Sequence, residues 1–315
     1  MEEIIMKKTL WYYGRKILGR RGTFLLRNII STIAFHLHLI PPATSTSKKK
    51  CISAMTLTCN DPDWLEPSLL SIKDLVDEYV VIDSSTDETP EILKKLRDKY
   101  NLNMKIIYLP PGNLVKARNL GLQNVSCKWV LIWDSDFVAK PEMGTVIKSL
   151  LKNLDEKYYY LIYWPMIRIC GDLFHVSTNP YHIEHWLYTW SPKLKYTKIN
   201  KHDTLIAPIT MYKAILINKP LGVHIYVRTP KRIAIKYLTW KKPWTQKLLN
   251  KGYSLEEIAK MKAKEMFGTE DLEEVGRILL KNTSKTKVKP YDEKLFGPYP
   301  EILKHYANRL NLNNL

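Results

Sequence analysis

Residues 129–137 read Trp129-Val130-Leu131-Ile132-Trp133-Asp134-Ser135-Asp136-Phe137, five apolar side chains followed by two carboxylates two positions apart. A strand that is apolar throughout belongs in a sheet covered on both faces. Working outward, the same rhythm recurs. Residues 52–58 read as a strand, and Leu65, Leu69, Ile72 and Val76 then fall at helical spacing. Residues 79–82 form a second strand, ended by Asp83. After a polar turn, Thr89 suits a helix N-cap and Pro90 its first position, and Ile92, Leu93, Leu96 and Tyr100 face inward. Residues 104–108 are a third strand, Pro110-Pro111-Gly112 breaks it, and 114–125 reads as a helix. This alternation predicts an α/β fold with a doubly wound, mostly parallel sheet. Such sheets bind ligands at the carboxyl ends of their strands, where Asp83 and Asp134 stand.

Beyond residue 140 the pattern is looser. Residues 142–154 read as a helix, 158–169 as an aromatic-rich strand, and 172–226 as a smaller antiparallel part. The last 75 residues are helical: Ser254 and Glu257 form a capping box, Gly268 can end that helix, and 271–282 offers another. The expected organisation is a basic N-terminal segment and linker (1–50), a central α/β domain (51–240) and a helical C-terminal extension (241–315).

Charge is unevenly placed. Lys plus Arg less Asp plus Glu is 49 − 31 = +18. Residues 1–50 hold ten cations and two acids, and 204–255 hold ten cations and no acid, which together account for the whole excess. Two basic segments on a neutral body point to surfaces that meet something anionic. In the first, Lys7, Lys8, Trp11, Tyr12, Tyr13, Arg15, Lys16, Arg20 and Arg21 precede an apolar run, 24–40, that Arg27 interrupts. This suits either a helix in a bilayer interface or one packed on the body; no run is long enough to span a membrane. In the second, Arg228, Lys231, Arg232, Lys236, Lys241 and Lys242 interleave with Tyr237, Trp240 and Trp244. It suits a lipid-facing surface or one that steers an anionic substrate. The four cysteines show neither C-x-x-C nor zinc-finger spacing. They are expected to be reduced, as small buried side chains in a cytosolic protein, peripheral at the inner membrane face.

Two carboxylates spaced i, i+2 on a turn can converge on one divalent cation, as hard oxygen ligands for a hard ion. Arg118, on the helix leading into the fourth strand, can pair with a diphosphate or with those acids.

The combination resembles the family 2 glycosyltransferases of the GT-A fold. Four blocks carry the resemblance, in order, over about residues 51–145. They are Thr58-Cys59-Asn60-Asp61; Val80-Val81-Ile82-Asp83-Ser84-Ser85-Thr86-Asp87-Glu88-Thr89; Ala117-Arg118-Asn119-Leu120-Gly121; and Asp134-Ser135-Asp136 followed by Pro141-Glu142. The resemblance implies a nucleoside-diphosphate sugar donor whose base or ribose is bound by Asp83, with Thr58 beside it. Arg118 would contact the diphosphate or brace the acidic turn. Asp134 and Asp136 would hold Mg²⁺ or Mn²⁺ against the diphosphate, with His224, on a late strand, completing the metal site. Ile82 and Ser84 depart from the family's Asp and Gly, which puts the base preference in doubt. Transfer with inversion needs a carboxylate base for the acceptor hydroxyl; Asp203, in His202-Asp203, is the first choice, Glu184 the second and Asp172 the third. The acceptor would be a glycan, a lipid-linked molecule or a protein.

Two other readings compete. A nucleotidyltransferase also uses paired aspartates, yet that class opens with a Gly-rich basic loop that 58–62 lacks. A nucleic-acid-binding protein would fit the charge, but the excess lies outside the βαβ core and no nucleic-acid motif appears.

Overall fold

The computed structural model describes residues 2–199, 202–240, 242–283 and 288–309. In chain order the first half comprises α1 (Glu2–His36), β1 (Lys49–Thr58), α2 (Pro62–Leu70), β2 (Glu78–Asp83), α3 (Thr89–Lys99), β3 (Met104–Tyr108), α4 (Leu114–Asn124), β4 (Cys127–Ile132), β5 (Phe137–Ala139) and α5 (Met143–Asn153). Next come β6 (Tyr159–Ile169), β7 (His175–Thr189), the hairpin β8 (Lys195–Ile199) and β9 (His202–Ile206), β10 (Tyr212–Leu216) and β11 (Gly222–Ile225). The chain closes with α6 (Pro230–Thr239), α7 (Pro243–Leu249), α8 (Leu255–Phe267), α9 (Leu272–Thr283), β12 (Val288–Pro290), α10 (Glu293–Phe296) and α11 (Glu301–Arg309).

The main sheet runs β3-β2-β1-β4-β7-β6-β11-β5, with β10 on β6 and β12 on β7. Strands β1 to β4 are parallel, and Thr58, Asp83 and Tyr108 pair in one register row, so three strands end level. Alternation splits β2 cleanly. Tyr79 and Val81 face the layer of Leu65, Leu69, Leu93 and Trp133, whereas Val80 and Ile82 face Met55, Leu122, Tyr188 and Tyr212. Helices thus cover both faces of this half. Residues 172–226 depart from the antiparallel expectation: β7 is antiparallel to β4 and β6, but β10 and β11 run parallel to β6. The β8–β9 hairpin lies between β7 and β10 in the chain and forms a sheet of its own.

Local signals account for the helix ends. The Ser254/Glu257 capping box forms, and Gly268 closes α8 at φ 76°. Thr89 does not cap α3. Its hydroxyl accepts from the Asp61 amide, and Asp87 takes the Thr89 amide at 3.0 Å.

Residues 41–50 are not a free linker. Ala43 is fully buried, its amide bonded to the Lys157 carbonyl at 2.8 Å, and Lys49 and Lys50 already belong to β1. Upstream, α1 is interrupted at Gly19 (φ 64°). Its later part is fastened to the body: Arg27 donates to the carbonyls of Tyr212 (2.7 Å), Ala207 (3.2 Å) and Pro208 (3.1 Å), and Ser31 to that of Met211. The side chains of Lys7, Lys8, Trp11, Tyr12, Tyr13, Arg15 and Lys16 lie outside the described residues. No helix among the described residues is long and apolar enough to cross a membrane.

The reduced-cysteine expectation is corrected. Cys51 and Cys127 form a disulfide, while Cys59 and Cys170 are free thiols. The bonded pair is 76 positions apart in sequence, and only the pairing of β1 with β4 brings the two Cα atoms to 4.9 Å. Closing so long a loop constrains the unfolded chain, so reduction is expected to cost about 2–4 kcal/mol of stability. Urea unfolding with and without a phosphine reductant measures it; equal midpoints would show that the bond adds nothing.

Candidate active site

The carboxyl ends of β1 and β2 are tied by short polar side chains. Thr58 donates its hydroxyl to Asp83 Oδ1 at 2.7 Å, and the Ser85 amide donates to the same oxygen at 3.1 Å. Asn60 adopts φ 52°, a left-handed conformation asparagine tolerates better than most residues. There its amide donates to Ser85 Oγ, and its side-chain oxygen accepts from the Thr86 amide. Asp83 is buried at 2% exposure, with Thr58 beside it as the family resemblance implied. It closes this turn from beneath.

Helix α4 explains why Ala-Arg-Asn-x-Gly is needed. Asn113 caps its start by accepting from the Lys116 amide. A Cβ on Gly121 would stand 2.5 Å from Met55 Sδ, so glycine lets the helix lie close on β1. Asn119, a weak helix former in mid-helix, exchanges two hydrogen bonds with the Tyr196 backbone (2.8 and 3.0 Å) and so holds the β8–β9 hairpin. Arg118, between these anchors, reaches two acids from different elements. Its Nη2 donates to both oxygens of Asp134 (2.9 and 3.2 Å), and its Nε to Asp203 Oδ2 (3.2 Å). Burial alone would lower the Arg118 pKa, but Asp134 and Asp203 outweigh it and hold the guanidinium charged. The Asp134 carboxyl is pushed up by burial, with the Asp136 charge adding, against the pull of Arg118.

Asp136 faces a different set of groups. Its Oδ2 lies 2.5 Å from Arg228 Nη2 and 3.3 Å from His224 Nε2. Burial would raise its pKa, yet His224 and Arg228 together hold it well below the usual carboxylate range. Pairing of β11 with β5 sets His224 opposite Phe137, one residue past Asp136. Arg232, one turn into α6, extends the network to Asp61 Oδ1 (3.3 Å) and Asp87 Oδ2 (3.7 Å), while the Ser135 hydroxyl donates to Asp61 Oδ2. Gly276 allows this placement of α6, because a Cβ there would collide with the Pro230 carbonyl. Cys59, packed beneath α6, has its thiol pushed up to about 12 by burial.

Among the described residues no cluster of three or more His, Cys, Asp or Glu is arranged to hold a metal ion. Asp136 and His224 are the residues that would hold one. Mg²⁺ commonly takes only one or two protein carboxylates alongside substrate phosphates, but Asp136 Oδ2 is engaged by Arg228 Nη2 and His224 Nε2, so a cation would bind through Oδ1 or displace Arg228. His224 Nδ1 is buried without a hydrogen-bond partner, and its Nε2 faces the Asp136 carboxylate, which favours a proton on Nε2. Asp134 has both oxygens on Arg118.

The remaining sequence candidates separate. Glu184, on β7, lies 3.4 Å from His185 and 3.9 Å from His182, whose ring is 6.4 Å from that of His224. Asp172 is engaged by His175 at 2.7 Å in the turn between β6 and β7. The basic stretch 228–244 divides as well. Arg228 and Arg232 turn inward onto Asp136, Asp61 and Asp87, which corrects the reading of the whole stretch as lipid-facing; Tyr237 and Trp240 are exposed. Lys241 lies outside the described residues. Sequence reasoning missed Asp61, Asn119, Arg228 and Arg232 as site residues. An asparagine inside a helix and two arginines just after a strand bearing His224 were the available signals. A cavity of about 390 Å³ opens at the opposite ends of β1 and β4, beside Cys51 and Lys128, away from this network.

A mostly parallel sheet with its acidic turn at the carboxyl edge, followed by an antiparallel strand and C-terminal helices, is the GT-A glycosyltransferase architecture. The family model "Glycosyl transferase family 2" matches residues 53–221, more than half of the chain, and the chain belongs to that family. With that membership the nucleotidyltransferase and nucleic-acid-binding readings give way to a glycosyltransferase reading. Among solved structures, the chain is similar to S. aureus TarS 1–349 in complex with UDP, at 17% identity and TM-score 0.41, covering 83% of this chain and 79% of that one. Against S. aureus TarS itself, the figures are 18% identity and TM-score 0.41, with 70% of this chain and 44% of TarS covered; the chain spans less than half of that protein's length. The mannosyltransferase PcManGT from Pyrobaculum calidifontis, in complex with GDP-Man and Mn²⁺, is similar at 13% identity and TM-score 0.41 over 92% of both chains. A search of curated proteins finds no match.

Proposed function

We propose that the chain moves a sugar, with inversion, from a nucleoside-diphosphate sugar to a hydroxyl acceptor in a divalent-metal-dependent reaction. One observation carries this reading: Arg118 joins Asp134, from the end of β4, to Asp203, from the β8–β9 hairpin, at the sheet's carboxyl edge. That bridge sets a carboxylate from the second half of the chain beside the acidic turn, as a single displacement requires. Asp136 and His224 would hold Mg²⁺ or Mn²⁺, which would neutralise charge developing on the departing diphosphate. Asp83 and Thr58 support the nucleoside end of the donor. Asp203 takes the acceptor proton as general base, with Glu184 as the second candidate. Residues 51–240 carry this machinery, flanked by 1–50 and 241–315. The acceptor is a glycan, a lipid-linked molecule or a protein, reached at an anionic membrane surface.

Thermal unfolding in the presence of UDP-, GDP- and dTDP-sugars, each with Mn²⁺ or with EDTA, tests the reading. A ligand at a hundred times its Kd adds about 2.7 kcal/mol to the native state. One donor is expected to raise the midpoint, and only with the metal. No shift with any donor would remove the donor assignment, and an equal shift in EDTA would remove the metal.

A further inference from the structure

We propose that the outward face of α1 docks on an anionic lipid surface. From residue 18 onward the helix has two distinct sides. Phe24, Arg27, Ser31 and Ala34 are buried against the body. Leu25, Ile29, Ile33 and Leu37 form an i, i+4 row exposed at 63, 47, 53 and 63%, with Leu18 and Leu26 alongside. A helix on a protein surface normally turns polar residues outward, and a contiguous apolar strip marks a contact surface. The strip cannot be buried by rolling the helix. Arg27 is committed to three carbonyls and Asn28 exchanges hydrogen bonds with Ala214 (2.6 and 3.0 Å), so rolling would leave buried polar groups unpaired.

Charge selects the occupant. No acid occurs between residues 4 and 60, and Arg20 and Arg21 stand at the start of the strip, whereas Arg27 turns inward and Lys49 and Lys50 belong to β1. Two copies packed strip to strip would bring these like charges together. An anionic bilayer attracts them while its apolar boundary takes up the leucines and isoleucines. The carbonyls gripped by Arg27 and Ser31 belong to 207–212, which directly follows β9 and Asp203. Docking through α1 therefore sets the Asp203 side of the site near the lipid surface, where a lipid-linked acceptor would arrive. This last consequence rests on the proposed transfer reaction; the docking does not.

Co-sedimentation of the full chain with phosphatidylcholine vesicles, with and without phosphatidylglycerol, tests the docking. Binding is expected only to the anionic vesicles, weakened about tenfold or more in a Leu25→Ser/Ile29→Ser/Ile33→Ser variant whose melting midpoint is unchanged. Should that variant unfold, Ile29→Ser alone is expected to weaken binding about threefold. Absence of wild-type binding, or equal binding by the variant, would overturn the proposal. So would a dimer in sedimentation velocity that the serine substitutions dissolve, since the strip would then serve a second copy. Donor-induced stabilisation in the same samples reports on the transfer site separately, so either reading can fail alone.

Discussion

Asp136→Asn is expected to lower kcat about 10³-fold or more if, as proposed, Asp136 stabilises charge at the reacting phosphate. It also destabilises the fold, because Arg228 and Asp136 are only 5% and 11% exposed. Breaking such a pair by removing one member costs about 3–5 kcal/mol, since the other charge stays buried and unpaired. The two effects are separable. Asp136→Asn combined with Arg228→Met removes both charges and is expected to recover most of the stability but none of the turnover. Recovery of turnover would mean that Asp136 only neutralises Arg228. The pH dependence follows from the same geometry. The folded-state pKa of Asp136 is lowered from 3.8, so its stabilisation is present above that value and is lost as pH falls through the folded one. Acid unfolding of the wild type should therefore steepen below about pH 4, and the double variant should show a shallower slope there. Equal slopes would show that Asp136 is not held as a paired carboxylate.

Asp203→Asn is expected to lower kcat by about 10²–10⁴, the range for loss of a positioned general base. Donor affinity, read from the stabilisation by nucleotide-sugar, should change less than about twofold, because a lost base affects the chemical step rather than ground-state binding. Arg118 keeps its two contacts to Asp134, so the fold should hold. Glu184→Gln is the control: its carboxylate is half exposed between two histidines, and turnover should stay within about threefold if Asp203 is the base. A collapse in Glu184→Gln with Asp203→Asn near wild type would exchange the two roles. A fall in melting midpoint, with turnover per folded molecule intact, would reduce Asp203 to a tether for Arg118.

Much of the first half of the fold was legible because its signals are local. Strands β1 to β4 and helices α3 and α4 sit within a few residues of where apolar runs, helical spacing and the Pro110-Pro111-Gly112 break put them. The Thr58–Asp83 contact was implied only by the family resemblance, and the parallel register of β1 and β2 accounts for it. Across the second half, aromatic runs and scattered histidines carry no period that tells a parallel strand from an antiparallel one. The parallel direction of β10 and β11 was therefore beyond reach. So was the Cys51–Cys127 bond, whose partners meet only through strand order.

The order of apolar runs and the acids that end them determined by themselves that this chain builds a covered parallel sheet with carboxylates along one edge. Sequence already offered Arg118 to the acidic turn, but the pairing of Arg118 with Asp203 and of Arg228 with Asp136 was decided by the tertiary structure alone. Arg118 meets Asp203 across 85 residues, and Arg228 meets Asp136 across 92. The reason is physical: hydrophobic periodicity is set by neighbours along the chain, whereas ion pairs form between groups that only folding brings within a few ångströms, at a distance along the sequence that no local pattern encodes.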